Sequence, residues 1–310
     1  MEEISVLAPA TVANVVCGFD CLGFALSSPN DEMTLRLIDE RTIRIKNLDD
    51  FGLPTEAEKN VAGAALLSLL KNVEESVGFE VEIKKNIKPG SGIGSSAASA
   101  AGAVVAANRL LGERFSKMEL VEFARDGEFA ACGSRIADNV AACIFGGFTL
   151  VRSSDPLDIV SLDFPTLFAT VIHPQIEIKT SDARSILKQT ILLNDAIAQW
   201  GNVGALVAGL QKGDYGLIAR SLEDRIVEPV RSILIPHFDE LKSESLRAGA
   251  LGGGISGSGP SVFMLSETEE IAKKVETSMI SIYGKSRIEF NTYVSEINSS
   301  GVKPKEEARA

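Results

Sequence analysis

The stretch Pro89-Gly90-Ser91-Gly92-Ile93-Gly94-Ser95-Ser96-Ala97-Ala98-Ser99-Ala100 constrains this chain more than any other. Before it, Phe79, Val81 and Ile83 alternate with polar residues and predict a strand; after it, the Ala-rich run from Ala97 to Leu111 predicts a helix. Glycines let a backbone turn tightly and approach a ligand closely. A helix start presents unpaired N–H groups and the positive end of its dipole, a place that suits phosphate. Ser95 and Ser96 add hydroxyls able to bond a phosphate oxygen or ligate Mg²⁺. Without a ligand, the same residues make a tight, serine-capped turn. This is not a Walker A loop, because no Lys-Ser/Thr follows the last glycine. Nor is it a dinucleotide fingerprint: about 20 residues on, where that motif needs an acid, stand Phe115, Ser116 and Lys117.

A chain of 310 residues can bury a substantial core and is expected to divide into two domains. Its 45% hydrophobic and 24% charged residues are ordinary for a soluble globular protein. The net charge of −11 argues against a nucleic-acid partner and requires local donors and metal to hold any nucleotide. No apolar run reaches the length of a membrane span, and the acidic start Met1-Glu2-Glu3 is not a leader, so no membrane association and a cytoplasmic location are expected. Cys17, Cys21, Cys132 and Cys143 form no CxxC and have no matching histidines, which argues against zinc; reduced, buried thiols are expected.

Along the chain, Ile4 to Leu7 predicts a short strand, and residues 8–30, with Pro9, Gly18, Gly23 and Pro29, a loop-rich connection. Met33 to Leu37 and Ile43 to Ile45 predict a hairpin turning at Asp39-Glu40-Arg41. Glu58 to Glu74 has a broad apolar helical face, and Lys117 to Asp126 predicts a helix capped by Ser116. A mixed stretch follows from Gly127 to Asn139. Ser153-Ser154-Asp155-Pro156 reads as the linker, dividing the chain into residues 1–155 and 156–310. The second half opens with strands at 158–163 and 167–172, and the tail from Lys303 is expected to fray. Strands and helices mixed in two halves indicate an α+β protein.

Three stretches carry a resemblance. Pro89 to Ala97 resembles the phosphate loop of the GHMP kinases. Ala8-Pro9-Ala10-Thr11-Val12-Ala13-Asn14-Val15-Val16-Cys17-Gly18-Phe19-Asp20-Cys21-Leu22-Gly23 resembles the amino-terminal signature of the homoserine kinases within that superfamily. Gly252-Gly253-Gly254-Ile255-Ser256-Gly257-Ser258-Gly259-Pro260-Ser261 resembles the superfamily's carboxy-terminal glycine motif. The resemblance implies an ATP-binding first domain like ribosomal protein S5 domain 2, a ferredoxin-like second domain and an active site in the cleft between them. It also implies phosphorylation of the side-chain hydroxyl of L-homoserine, the step before threonine synthesis, with ATP and Mg²⁺. Oligomeric state is left open, a homodimer included. The alternative is another GHMP kinase, acting on mevalonate, a diphosphocytidyl polyol or a sugar. A third reading is a catalytically silent nucleotide sensor, against which the retention of Glu128 and the loop serines argues.

The resemblance also assigns residues. The nucleotide would be held by Lys88, Pro89, Gly90, Ser91, Gly92, Ile93, Gly94, Ser95, Ser96, Ala97 and Ala98, with Asn60 near the adenine; alone, Asn60 reads as an N-cap. Glu128 would ligate Mg²⁺ with a loop serine, Ser96 first and Ser95 next; alone, Glu128 reads as a solvated acid. An amino-acid substrate needs a carboxylate for its ammonium and an arginine fork for its carboxylate. Asn14 and Asp20 in the first motif, and Arg184 and Arg231 later, match the family's substrate-binding positions. By themselves, the first two are turn formers and the arginines would pair with Glu223, Asp224 or Glu228; Arg225 is a weaker candidate. Asp138 and Asn139 match the family's Asp-Asn-Val-Ala stretch as the catalytic pair, Asn139 facing the reacting hydroxyl; by themselves they cap a helix. Asparagine cannot serve as a base, so no dedicated base is expected. The chain departs from the family at Ile136, where many members carry histidine; either neighbouring Arg135 compensates or this subgroup binds its substrate differently. Neither His173 nor His237 reads as catalytic.

Overall fold

Strand β1 (Glu3–Ala13) pairs with β2 (Leu22–Ile38), and both reach well into the region expected to be loop. Residues 8–13 are small and buried, and Pro9 sits beside the register shift between Pro9 and Thr11, where a strand tolerates proline. Only residues 14–21 remain as a loop. The computed structural model describes residues 2–133 and 135–306; for Ala131 and Cys132 it describes the backbone alone, so the expected Cys132 thiol lies outside the described residues.

Strand β3 (Ile43–Asn47) does not form the expected hairpin with β2. Strand β4 (Gly78–Lys84) lies between them, antiparallel to β2 and parallel to β3. Phe79, Val81 and Ile83 of β4 are fully buried, as suits a central strand, whereas β3 alternates between partly buried and exposed. Helices α1 (Val61–Leu70), α2 (Ser95–Leu110), α3 (Lys117–Cys132) and α4 (Asp138–Phe145) pack around this sheet. Alanines make α2 thin enough to be buried on nearly all sides. Helix α3 continues past its expected end at Asp126. A Cβ on Gly127 would lie 2.5 Å from Val61 O, so this glycine serves close packing of α3 on α1 and is not a break.

Strands β5 (Phe148–Ser154) and β6 (Leu157–Leu162) form a hairpin on β2, so Ser153–Pro156 contains a hairpin turn instead of the expected linker. The chain changes sheets between β6 and β7 (Phe168–Pro174), and we propose the domain division there. The second sheet has the order β10-β7-β9-β8, from β7, β8 (Gly252–Ile255), β9 (Val262–Ser266) and β10 (Phe290–Glu296). Helices α5 (Thr180–Ser185), α6 (Leu193–Lys212), α7 (Tyr215–Ser221), α8 (Glu228–Arg231) and α9 (Phe238–Arg247) intervene between β7 and β8; α10 (Glu269–Tyr283) joins β9 to β10. This is the βαββαβ order of a ferredoxin-like fold. Along β9, Phe263 and Leu265 join the core shared with the first domain, and Val262 and Met264 a second core with Tyr283 and Met279. The tail expected to fray instead forms β11 (Lys303–Pro304), paired with β1.

Candidate active site

Between the two sheets lies a cleft of about 470 Å³, a size suited to a small-molecule site. Its floor is the glycine loop. Gly90, Gly92 and Gly94 all have left-handed φ, between 70° and 81°. Gly94 is the N-cap of α2, and among the described residues no side-chain cap takes up the first N–H groups of that helix. The third motif supports the loop from across the cleft: Ser256 Oγ donates to Gly92 O (2.8 Å) and Ser261 Oγ to Ser91 O (2.6 Å). A Cβ at Gly92 would sit 2.5 Å from Gly259 O, so only glycine permits this approach.

Most of the expected nucleotide residues line this cleft, including Pro89, Gly90, Ser91, Gly92, Gly94, Ser95 and Ser96. Ile93, Ala97 and Ala98 bury their side chains in the core and offer only main chain. Lys88 donates to Gln175 Oε1 (2.6 Å) and is not among the lining residues. Asn60 lines the cleft while capping α1: its Oδ1 accepts from Ala62 N (2.9 Å) and Gly63 N (3.3 Å), and its Nδ2 donates to Pro54 O (2.7 Å).

Geometry separates the two loop serines. Ser95 Oγ donates to Ile87 O at 2.8 Å, whereas Ser96 Oγ donates to Glu128 Oε2 at 3.1 Å. Because α3 continues through Gly127, Glu128 is held on a helix facing the loop. Burial pushes its carboxyl up to about 7, offset in part by the Ser96 hydroxyl and by Lys85.

At the other end of the cleft, Asn14, Val15, Val16 and Asp20 have left-handed φ, a costly conformation for valine in particular. Asn14 Nδ2 donates to Gly257 O (2.7 Å) and its Oδ1 accepts from Asp20 N (3.1 Å), so it is both turn former and bridge to the third motif. Arg184 Nη2 donates to both Asp20 carboxylate oxygens, at 2.7 and 2.9 Å. Its Nε is buried without a hydrogen-bond partner among the described residues. Arg231 is buried, donating from Nε to Ala183 O at 2.8 Å. Both guanidinium groups lie over the Phe19 ring, 5.3 and 5.1 Å from its centroid. The arginines thus do not take the partners their sequence neighbours offer: Glu223 pairs with Arg225 and Glu228 with Lys242.

Asp138 and Asn139 begin α4, whose N-cap is Ala137; the Asp138 carboxylate takes up a first-turn N–H, and the Asn139 side chain turns instead to Thr11. Asp138 Oδ1 accepts from Asn139 N (2.7 Å), and Asn139 Oδ1 accepts from Thr11 Oγ1 (2.7 Å). Ile136 lines the cleft where the family's histidine would stand; Arg135 is exposed and pairs with Asp126. Sequence reasoning missed Thr11, Phe19 and Lys85. Lys85 is buried beside the loop helix, paired with Asp31 and donating to Ser95 O (2.6 Å) and Ser99 Oγ (2.9 Å). The alternation of β4, which Lys85 directly follows, was the one signal that could have placed it near the loop.

Burial and then the charge of Asp20 push the Asp138 carboxyl up to about 7. The folded protein therefore holds a proton that the unfolded chain releases above the ordinary carboxylate range. This contribution to stability is full below pH 3.8 and is lost as pH rises through about 7. Asp138→Asn should flatten the pH dependence of the unfolding free energy in that window by up to about 1.4 kcal/mol per pH unit, measured by urea titrations of both proteins. Parallel curves for the two would refute the assignment.

Residues 60–147 match the GHMP kinases N terminal domain and residues 206–285 the GHMP kinases C terminal domain; the chain belongs to the GHMP kinase family. Within it, the chain sits with the homoserine kinases. It is 47% identical to the homoserine kinase of Chloroherpeton thalassium, over 97% of this chain and 99% of that one. It is 46% identical to that of Chlorobaculum tepidum, over 98% of each. The crystal structure of homoserine kinase from Cytophaga hutchinsonii is similar at a TM-score of 0.94, with 52% identity and 98% of both chains covered.

Proposed function

We infer that the protein transfers the terminal phosphoryl group of ATP to the side-chain hydroxyl of L-homoserine, giving O-phospho-L-homoserine for threonine synthesis. The observation that carries this reading is the near-full-length likeness to homoserine kinases. The cleft supports it, with an anion loop at one end and an Asp–Arg pair suited to an amino acid at the other.

In this reading the loop amides and the start of α2 bind the triphosphate. The Asp20–Arg184 ion pair opens on substrate entry: Asp20 takes the α-ammonium, while Arg184 and Arg231 take the α-carboxylate, relieving the repulsion between two close guanidinium groups. Asn14 shapes the loop that presents Asp20. Asn139, oriented by Thr11, meets the reacting hydroxyl, with Asp138 behind it. No dedicated base is assigned; the hydroxyl proton leaves to a phosphate oxygen or solvent. Holding the two reactants in position supplies about 7–11 kcal/mol of the barrier reduction in favourable cases.

Ser96 and Glu128 are the residues that would hold Mg²⁺. They fit it as a hard oxygen pair, and a cation would offset the cost of a buried carboxylate. Among the described residues no group of three or more His, Cys, Asp or Glu side chains is placed to hold a metal ion. When bound, Mg²⁺ neutralises charge on the transferring phosphates. We place the protein in the cytoplasm, in keeping with the free thiols of Cys17 and Cys21. No described helix is long and apolar enough to cross a membrane.

Steady-state turnover of homoserine, mevalonate and galactose tests the reading; good turnover of another substrate with none of homoserine would end it. Arg231→Met is expected to raise the KM for homoserine about 10- to 100-fold while leaving that for ATP nearly unchanged. An unchanged homoserine KM would remove Arg231 from the site.

A further inference from the structure

Helix α6 buries Gln199 along with Ala196, Leu206, Gly209 and Leu210, and the Gln199 amide binds two other segments at once. Its Nε2 donates to Cys17 O (2.9 Å) and to Asp224 Oδ1 (3.0 Å), and its Oε1 accepts from Arg225 N (2.9 Å). Asp224, also buried, commits both carboxylate oxygens to the turn that follows it. Oδ1 accepts from Ile226 N (2.8 Å) and Val227 N (3.0 Å), and Oδ2 from Glu228 N (2.8 Å). That turn leads directly into α8, which ends at Arg231. Cys17 lies in the middle of the 14–21 loop, whose Asn14, Val15, Val16 and Asp20 have left-handed φ. Such a conformation persists only where surrounding contacts impose it. Asn14 holds one end of the loop to Gly257, and Gln199 holds its middle. Phe19, two residues after Cys17, lies under the guanidinium of Arg231.

We infer that Gln199 is a positioning residue for the amino-acid half of the cleft. One amide ties the loop that presents Asp20 and Phe19, from the first domain, to the turn that sets Arg231, in the second. The inference rests on the reading in which Asp20 and Arg231 hold homoserine. Gln199 is not among the residues lining the cleft, so it acts through its neighbours and not on the substrate. An amide suits this place, because bridging a carbonyl, a carboxylate and an N–H needs donor and acceptor on one short side chain. A buried polar group left without its partner is costly unless it shifts to find another, and such a shift moves the segment that carries it. The nucleotide loop is held separately, by Ser256 and Ser261. The effect of Gln199 should therefore fall on homoserine and spare ATP.

Steady-state kinetics of Gln199→Leu and of the more flexible Gln199→Met, each alone and combined with Arg231→Met, test this. Either Gln199 variant should raise the homoserine KM about tenfold or more and leave the ATP KM within about twofold. Turnover at saturation should change less than the homoserine KM. Because Gln199 acts in part through Arg231, its loss and that of Arg231 should not multiply. The fall in kcat/KM for homoserine in the double variant should be at least about threefold smaller than the product of the two single falls. A role in core packing alone would lower the urea midpoint and spare the homoserine KM. Should Gln199→Leu fail to fold, Gln199→Met carries the comparison, its ATP KM showing that the fold is kept. An unchanged homoserine KM, an equal rise in both KM values, or losses that simply multiply in the double variant would overturn the inference. If Arg231→Met itself leaves the homoserine KM unchanged, the reading of the site falls and this inference with it. If Arg231→Met raises that KM and the Gln199 variants do not, this inference alone falls.

Discussion

Glu128→Gln is expected to lower Mg²⁺-dependent kcat by about 10³-fold, because removing a metal's stabilisation of transferring phosphates forfeits several kcal/mol. The substitution keeps the shape of the side chain and its contact with Ser96, and it removes a buried carboxylate whose pKa is already raised. The folded protein should therefore be no less stable, and the loss should appear in turnover across a Mg²⁺ titration. Retained wild-type turnover at every Mg²⁺ concentration would show that the metal is held elsewhere.

Gly94→Ala should reduce kcat/KM by at least about 10²-fold, through a route that Gly90→Ala does not share. Both glycines have left-handed φ, so either substitution strains the backbone by roughly 1 kcal/mol. At Gly90 the new methyl meets nothing within 4 Å. At Gly94 it would overlap Thr11 Oγ1 and come within 3.1 Å of Asn139 Oδ1. Thr11 can move only by giving up its hydrogen bond to Asn139, the group assigned to the reacting hydroxyl. Kinetics of the two variants side by side, with urea unfolding as the measure of backbone strain, separate steric from conformational effects. Equal losses of kcat/KM in the two would contradict this account.

What could be read beforehand was local. The glycine loop announces itself because left-handed φ and close backbone approach demand glycine, and the helix after it because alanine runs are helical. The misreadings share one cause, contacts between segments distant in sequence. Gly127 looks like a break until α1 is seen to need the space. Strands β2 and β3 look like a hairpin until β4, more than 30 residues on, is seen between them. Residues 8–13 look like loop because small residues and proline carry no strand signal outside a buried sheet. In the site, the pairing of Arg184 with Asp20 spans 164 residues and both domains, and nothing near either residue foretells it. The choice between Ser95 and Ser96 depends on which hydroxyl the helix turns toward Glu128, a matter of rotation that spacing does not encode.

Because β11 returns from the far end of the chain to lie along β1, the second domain is an insertion within the first. Two strands of chain, 163–167 and 297–302, cross between the bodies. Cutting the gene after β6 would therefore leave the first sheet without β11, the strand at its edge beside β1.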